Sequence, residues 1–260
     1  MNVLLENIKI KQLETFVELF HGISPRYFKN DKEEIVEFEF LNKEESGQAE
    51  DHLKIFLESI GVKDGSIYLV NQTHSDKVLL LDDSFSSPQE SKKVEADALL
   101  TNIPNKPIGV FTADCLPILI YDPRQSVIGV IHAGRRGSEQ GIVFKVVEEM
   151  DRAYGSKPEE LVVGFGPAIG GCCYEVDESC ILPFKKFSFD KESWCRPGAS
   201  GKYFLDLIEV NKMQCERAGL HRGNIFPVNH CTCCSLSGMY SYRREGETGR
   251  ILTAIMLRSR

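Results

Sequence analysis

The chain has 260 residues, 42% of them hydrophobic and 27% charged, with a formal net charge of −7. That balance suits a folded globular protein with a substantial core and excludes a disordered or low-complexity chain. The acidic charge excludes nucleic acid as the main partner, because phosphate-backbone binding needs a basic face, so an anionic small molecule would require a local basic pocket.

No stretch reaches the about 18 consecutive apolar residues of a membrane span, so no membrane association is expected. The first ten residues, MNVLLENIKI, lack the basic flank, apolar stretch and cleavage site of a signal peptide, which makes the cytoplasm the expected location. Nine cysteines crowd into Cys172 and Cys173 and into Cys231, Cys233 and Cys234, without the even spacing of a disulfide framework. In a reducing compartment most of them are expected as free thiols.

No repeat or Pro/Gly-rich linker divides the chain, so residues 1–260 read as one domain. Residues 45–60 place Leu53, Phe56, Leu57 and Ile60 at helical spacing, and Gly61 follows as a stop. Short apolar runs at 66–70, 78–81, 108–111, 118–121 and 127–131 read as buried strands. After a turn at 134–137, Ile142, Val143, Val146, Val147 and Met150 predict a second helix, which begins near Ser138 and closes near Gly155 and Pro158. A strand at 161–165, a helix at 205–218 ended by Gly219, and a last strand at 251–257 complete the pattern. Because strands and helices interleave irregularly, the expected class is α+β, a single-domain mixed β-sheet sandwich flanked by helices, rather than a doubly wound parallel fold.

Three histidine or cysteine positions fall where strands end or turn: His74 in NQTHSD, Cys115 in TADCLP and His132 in VIHAGRRG. Two imidazoles and a thiolate suit a zinc ion with a fourth position left open. Among six histidines and nine cysteines this triple is one of many, and His230, Cys231, Cys233 and Cys234 form a denser rival that is crowded for one tetrahedral ion. Arg135 and Arg136 lie between Gly134 and Gly137 ahead of a helix, a place where backbone N–H groups and guanidinium can hold an anion. GFGPAIGGCCYEV packs four glycines around Pro167, for close approach either to a ligand or across the core.

The segments QTHSDKV, EADALLT, TADCLPILIYDP, GVIHAGRRG, GFGPAIGGCCYEV, HCTCC and SYRREGETGR, taken in order over residues 71–257, resemble the laccase-domain family. That family was first described as multicopper polyphenol oxidases and is now understood as purine nucleoside phosphorylases with adenosine deaminase activity. The resemblance implies zinc held by His74, Cys115 and His132, a nucleoside and phosphate as ligands, and a fold of the CNF1-like cysteine hydrolase type. One Cys and two His also suit copper, but a multicopper polyphenol oxidase needs many more histidines to arrange several ions, so copper ranks below zinc.

Two departures stand out. Arg135 replaces the tryptophan usual in the family's HAGWRG, and the segment HGISPRYFKNDKEEIVEFEF keeps Arg26 but not the family's usual N-terminal pattern. Arg26, Arg135, Arg136 and Arg243 are the arginines expected to bind substrate. Asp114, beside Cys115, and Asp97 of EADALLT are candidates to orient an imidazole or share a proton, with Cys115, His132 and Asp114 as the catalytic set. Tyr242 sits in the same SYRRE segment as Arg243. Two rivals stay open: a metal-free hydrolase or amidase with Cys115 as nucleophile and His132, 17 residues on, as its base, and a non-enzymatic binding or redox module.

Overall fold

A computed structural model of the protein describes residues 6–30, 32–40, 48–63, 65–234 and 238–259. Its apolar runs form two stacked sheets. Six strands lie in the spatial order Ile225–Pro227, Val162–Phe165, Leu116–Asp122, Val127–Ala133, Ala98–Thr101 and Val78–Leu80. The two outer pairs are parallel and the three inner ones antiparallel, so the sheet is mixed. A second sheet pairs Ile251–Leu257 antiparallel with Leu19–Ile23 on one side and Ile108–Thr112 on the other.

Side-chain alternation along a strand explains why the central strands are apolar on both faces. In Leu116–Asp122, Leu119 and Tyr121 enter the core that also holds Val110, Ile251 and Ile255 of the second sheet. Leu116, Ile118 and Ile120 face the other way, against Ile142, Val143, Val146, Val147 and Met150 of the Ile142–Tyr154 helix. In Ile251–Leu257, Leu252, Ala254 and Met256 turn outward onto Phe56 and Leu57 of the Gln48–Ser59 helix. The result is a helix, sheet, sheet, helix sandwich, and each fully buried aliphatic or Phe side chain contributes about 1.5–3 kcal/mol.

The expected mixed α+β fold is therefore the observed one. The helix expected at 45–60 runs Gln48–Ser59, residues 45–47 lying outside those described. The helix expected at 205–218 is Leu207–Arg217, and the Asp206 side chain caps it by accepting from the Glu209 N–H at 3.0 Å. Two expectations need correction. Residues 66–70 are not a strand: their contact with the second sheet is a single bridge, Tyr68 to Ile108. The turn at 134–137 is itself helical, because a separate short helix, Arg135–Gln140, starts before Ser138 and ends at Gly141, whose φ of +92° lets the chain restart as Ile142–Tyr154. No helix among the described residues is long and apolar enough to cross a membrane.

Candidate metal centre

Sheet register brings the site together. The hairpin pairs Leu116 with Ala133 and Pro117 with His132, so Cys115, one residue before its strand, emerges beside His132. Ala98 pairs with Ile131 and, in parallel, with Val78, which sets Asp97 and the loop carrying His74 at that same end of the sheet. The ligand atoms of His74, Cys115 and His132 all lie within 4.8 Å of one another. Cys115 Sγ is 3.9 Å from His74 Nε2, and the two imidazoles stand edge to face with centroids 4.7 Å apart.

Asp97 is the hub. Its buried carboxylate accepts from His132 Nδ1 at 2.7 Å and from the His74 N–H at 3.0 Å on Oδ1, and from the Thr73 N–H, Ser75 N–H and Ser75 Oγ on Oδ2. One side chain thus orients the His132 ring, leaving Nε2 for a ligand, and also holds the loop that presents His74. Burial works to raise the Asp97 pKa, but the bonds from His132 and Ser75 prevail and hold it at about 2. His74 has a φ of +60° and Asp114 one of +87°, backbone conformations that cost residues other than glycine about 1–3 kcal/mol and that cluster at functional sites. Gln72 bonds both backbone groups of Phe111, at 2.9 and 2.8 Å, and so ties the His74 loop to the second sheet.

The donor set fits a metal ion. Gly134 closes over it: a Cβ at that position would meet Cys115 Sγ and His74 Cδ2, each at 3.0 Å, and His132 Cε1 at 3.6 Å. Without an ion, Cys115 and His132 each favour the charged form of the other. Burial opposes the Cys115 thiolate, but His132 and His74 draw its pKa down to about 6. Burial opposes the His132 cation too, but Cys115 and Asp97 raise its pKa to about 9.

The three donors open into a cavity of about 750 Å³. Its wall includes Arg135, Arg243 and Arg250 together with Val70, Phe111, Ile169, Tyr174, Leu207 and Tyr242. Of the four arginines expected at substrate, Arg135 and Arg243 line it; Arg26 and Arg136 do not. Arg26 is engaged by Glu37 and Glu245 and stacks over Tyr240, whereas Arg136 is exposed on the short helix. Arg243 lies over the Tyr174 ring and donates to the Glu175 carbonyl at 2.8 Å. Asp114 lines the cavity, but its carboxylate takes the Thr232 hydroxyl and the Arg243 N–H. Of the two acids expected near the imidazoles, Asp97 is the one that bonds a ring. Sequence reasoning missed Arg250 and Tyr174, although both sit in segments that it singled out, SYRREGETGR and GFGPAIGGCCYEV.

The model of the multi-copper polyphenol oxidoreductase laccase family matches residues 22–258. The chain belongs to this family. A purine nucleoside phosphorylase of Bacteroides thetaiotaomicron is 35% identical over 72% of this chain and 71% of its own. Adenosine deaminase RL5, from an unknown prokaryotic organism, is 35% identical over 75% of this chain and 77% of its own. Among solved structures, the hypothetical protein YfiH of Bacillus licheniformis superposes with a TM-score of 0.86 at 26% identity, covering 98% of this chain and 97% of that one. The family match spans the His74 loop, both hairpin donors and the arginines of the cavity wall. The CNF1-like assignment is not part of these likenesses.

Proposed function

We propose that this family member is a zinc-dependent purine nucleoside phosphorylase, acting on adenosine, inosine, guanosine and methylthioadenosine, with a second activity as an adenosine deaminase. The observation that carries the reading is the joining of a His/Cys/His donor set to a half-apolar cavity edged by three arginines. His74, Cys115 and His132 would hold the ion, which would supply Lewis acidity beside the cavity.

The protein groups do the rest. Arg135, Arg243 and Arg250 provide the positive charge that a phosphate needs beside the ribose C1′. Phe111, Tyr174 and Tyr242, with Ile169 and Leu207, offer the flat apolar contact that a purine needs. In phosphorolysis an oxygen of hydrogen phosphate bonds C1′ as the bond from C1′ to the purine nitrogen breaks, and the proton that the phosphate gives up passes to the departing base. Asp97 fixes the proton of His132 on Nδ1 throughout. Incubating zinc-loaded protein with the four nucleosides should release free base only when phosphate is present, and should turn adenosine into inosine without it. No product in any arm would overturn the reading.

One observation favours a second reading, a metal-free cysteine hydrolase: the Cys115 sulfur lies within 4.8 Å of a ring nitrogen of His132, as a nucleophile lies beside its base. With Cys115 at about 6, its thiolate fraction rises from below pH 6 and is nearly complete at pH 7, against about 9 for an ordinary thiol. In metal-stripped protein, peptide mapping should find Cys115 alkylated by iodoacetamide with a midpoint near pH 6. Restoring zinc should protect it. Alkylation that zinc leaves unchanged would favour the nucleophile.

A further inference from the structure

The cysteines that the His74 centre leaves unused are also gathered. Cys172 and Cys173 lie on the loop after the Val162–Phe165 strand, and Cys231 and Cys234 lie on the loop after Ile225–Pro227. These two strands are parallel neighbours, and the Ala168 to Cys231 bridge continues their pairing into the loops. All four sulfurs fall within 4.8 Å of one another, and Cys172 Sγ is 3.6 Å from Cys234 Sγ. His230 and Cys233, the other members of the cluster that spacing suggests, are not in the group.

We propose that Cys172, Cys173, Cys231 and Cys234 form a second, structural metal site that binds one zinc ion as a tetrathiolate. Four sulfurs about 2.3 Å from a tetrahedral ion stand roughly 3.8 Å apart, close to the spacing seen. Cys231 and Cys234 have the C-x-x-C spacing of structural zinc sites, and the adjacent pair Cys172 and Cys173 supplies the other two ligands. Two further observations point the same way. The Gly170 N–H donates to Cys231 Sγ at 3.3 Å, a bond that favours the thiolate. A Cβ at Gly170 would meet Cys172 Sγ at 3.3 Å and Cys231 Sγ at 3.7 Å, so a side chain there would press into the sulfur cluster.

On binding, the four S–H protons pass to solvent and four S–Zn bonds form, with no change of oxidation state. The ion joins two loops that support the cavity. Ile169 donates its N–H to the Asp114 carbonyl, and Thr232 donates its hydroxyl to the Asp114 carboxylate. Arg244 holds the carbonyls of Thr232 and Cys233. The site thus stiffens the wall from which Asp114 and Arg243 reach the cavity, independently of the function proposed above.

Zinc content per chain, measured on the full-length protein and on two double variants, tests this. The unaltered protein is expected to hold two ions, H74A/C115A one, and C172S/C234S one. In cobalt-loaded H74A/C115A the near-ultraviolet absorption should be that of four thiolates on one ion, and chelation should lower its thermal midpoint by on the order of 10 °C. A metal-free H74A/C115A protein, two ions retained in C172S/C234S, or a disulfide within the group in freshly isolated protein would overturn the site. If C172S/C234S does not fold, the cobalt spectrum of H74A/C115A decides alone. One ion in the unaltered protein, lost only in C172S/C234S, would sustain this site and remove the one at Cys115.

Discussion

His74→Ala and Cys115→Ser should each reduce kcat/KM for inosine phosphorolysis by on the order of 1,000-fold, about 4 kcal/mol of transition-state stabilisation. Each should also lose the ion at this centre. A serine hydroxyl is nearly the size of the thiol but does not ionise near neutral pH, so the cavity keeps its shape and loses its softest donor. His74 is exposed at the rim and its loop is held through backbone N–H groups on Asp97, so trimming its ring leaves that network intact. Circular dichroism should therefore stay unchanged in both variants. His74→Ala is the sharper of the two, because the Cys115 and His132 pair survives it. A metal centre makes it as damaging as Cys115→Ser, whereas a cysteine nucleophile would keep most of its activity, and that outcome would end the zinc reading.

The uneven legibility of this chain has physical causes. Runs such as those at 118–121 and 251–257 are apolar on both faces because two layers cover them, so continuous hydrophobicity was a sufficient signal. Leu19–Ile23 was not visible because His21 and Gly22 interrupt its apolar run. Yet His21 is buried, accepts the Ile10 N–H, and is pushed down to about 4 mainly by burial, so it packs as a neutral ring. At Gly22 a Cβ would lie 2.5 Å from Ile60. Residues 66–70 carry the composition of a strand but pair at one position, a distinction that depends on neighbours far along the chain. Strand ends mark His74, Cys115 and His132 as one candidate triple among many, and only the motif resemblance ranks it first, because register and not spacing joins residues 74, 115 and 132. Likewise the four-sulfur group depends on the Ala168 to Cys231 bridge, which leaves local crowding at 230–234 a misleading guide.

Asp97→Asn should have the largest effect on stability of any change near the site. The wild-type carboxylate faces donors on both oxygens: His132 and the His74 N–H on one, Thr73 and Ser75 on the other. An asparagine NH2 would meet donors in either orientation, leaving buried N–H groups unpaired at a cost of about 3–5 kcal/mol. Thermal unfolding should fall by roughly 10 °C for a protein of this size. Metal affinity should drop about 10–100-fold as His132 loses its fixed tautomer. The pH dependence has a definite sign. Asp97 is moved from an ordinary 3.8 to about 2, so its contribution, on the order of 2 kcal/mol, is complete above pH 3.8 and is lost as pH falls through 2. Acid unfolding of the wild type should steepen across that window, and Asp97→Asn should flatten it. A variant that unfolds at the same temperature and keeps the wild-type acid profile would show that the His74 loop and the His132 ring are held by something other than this carboxylate.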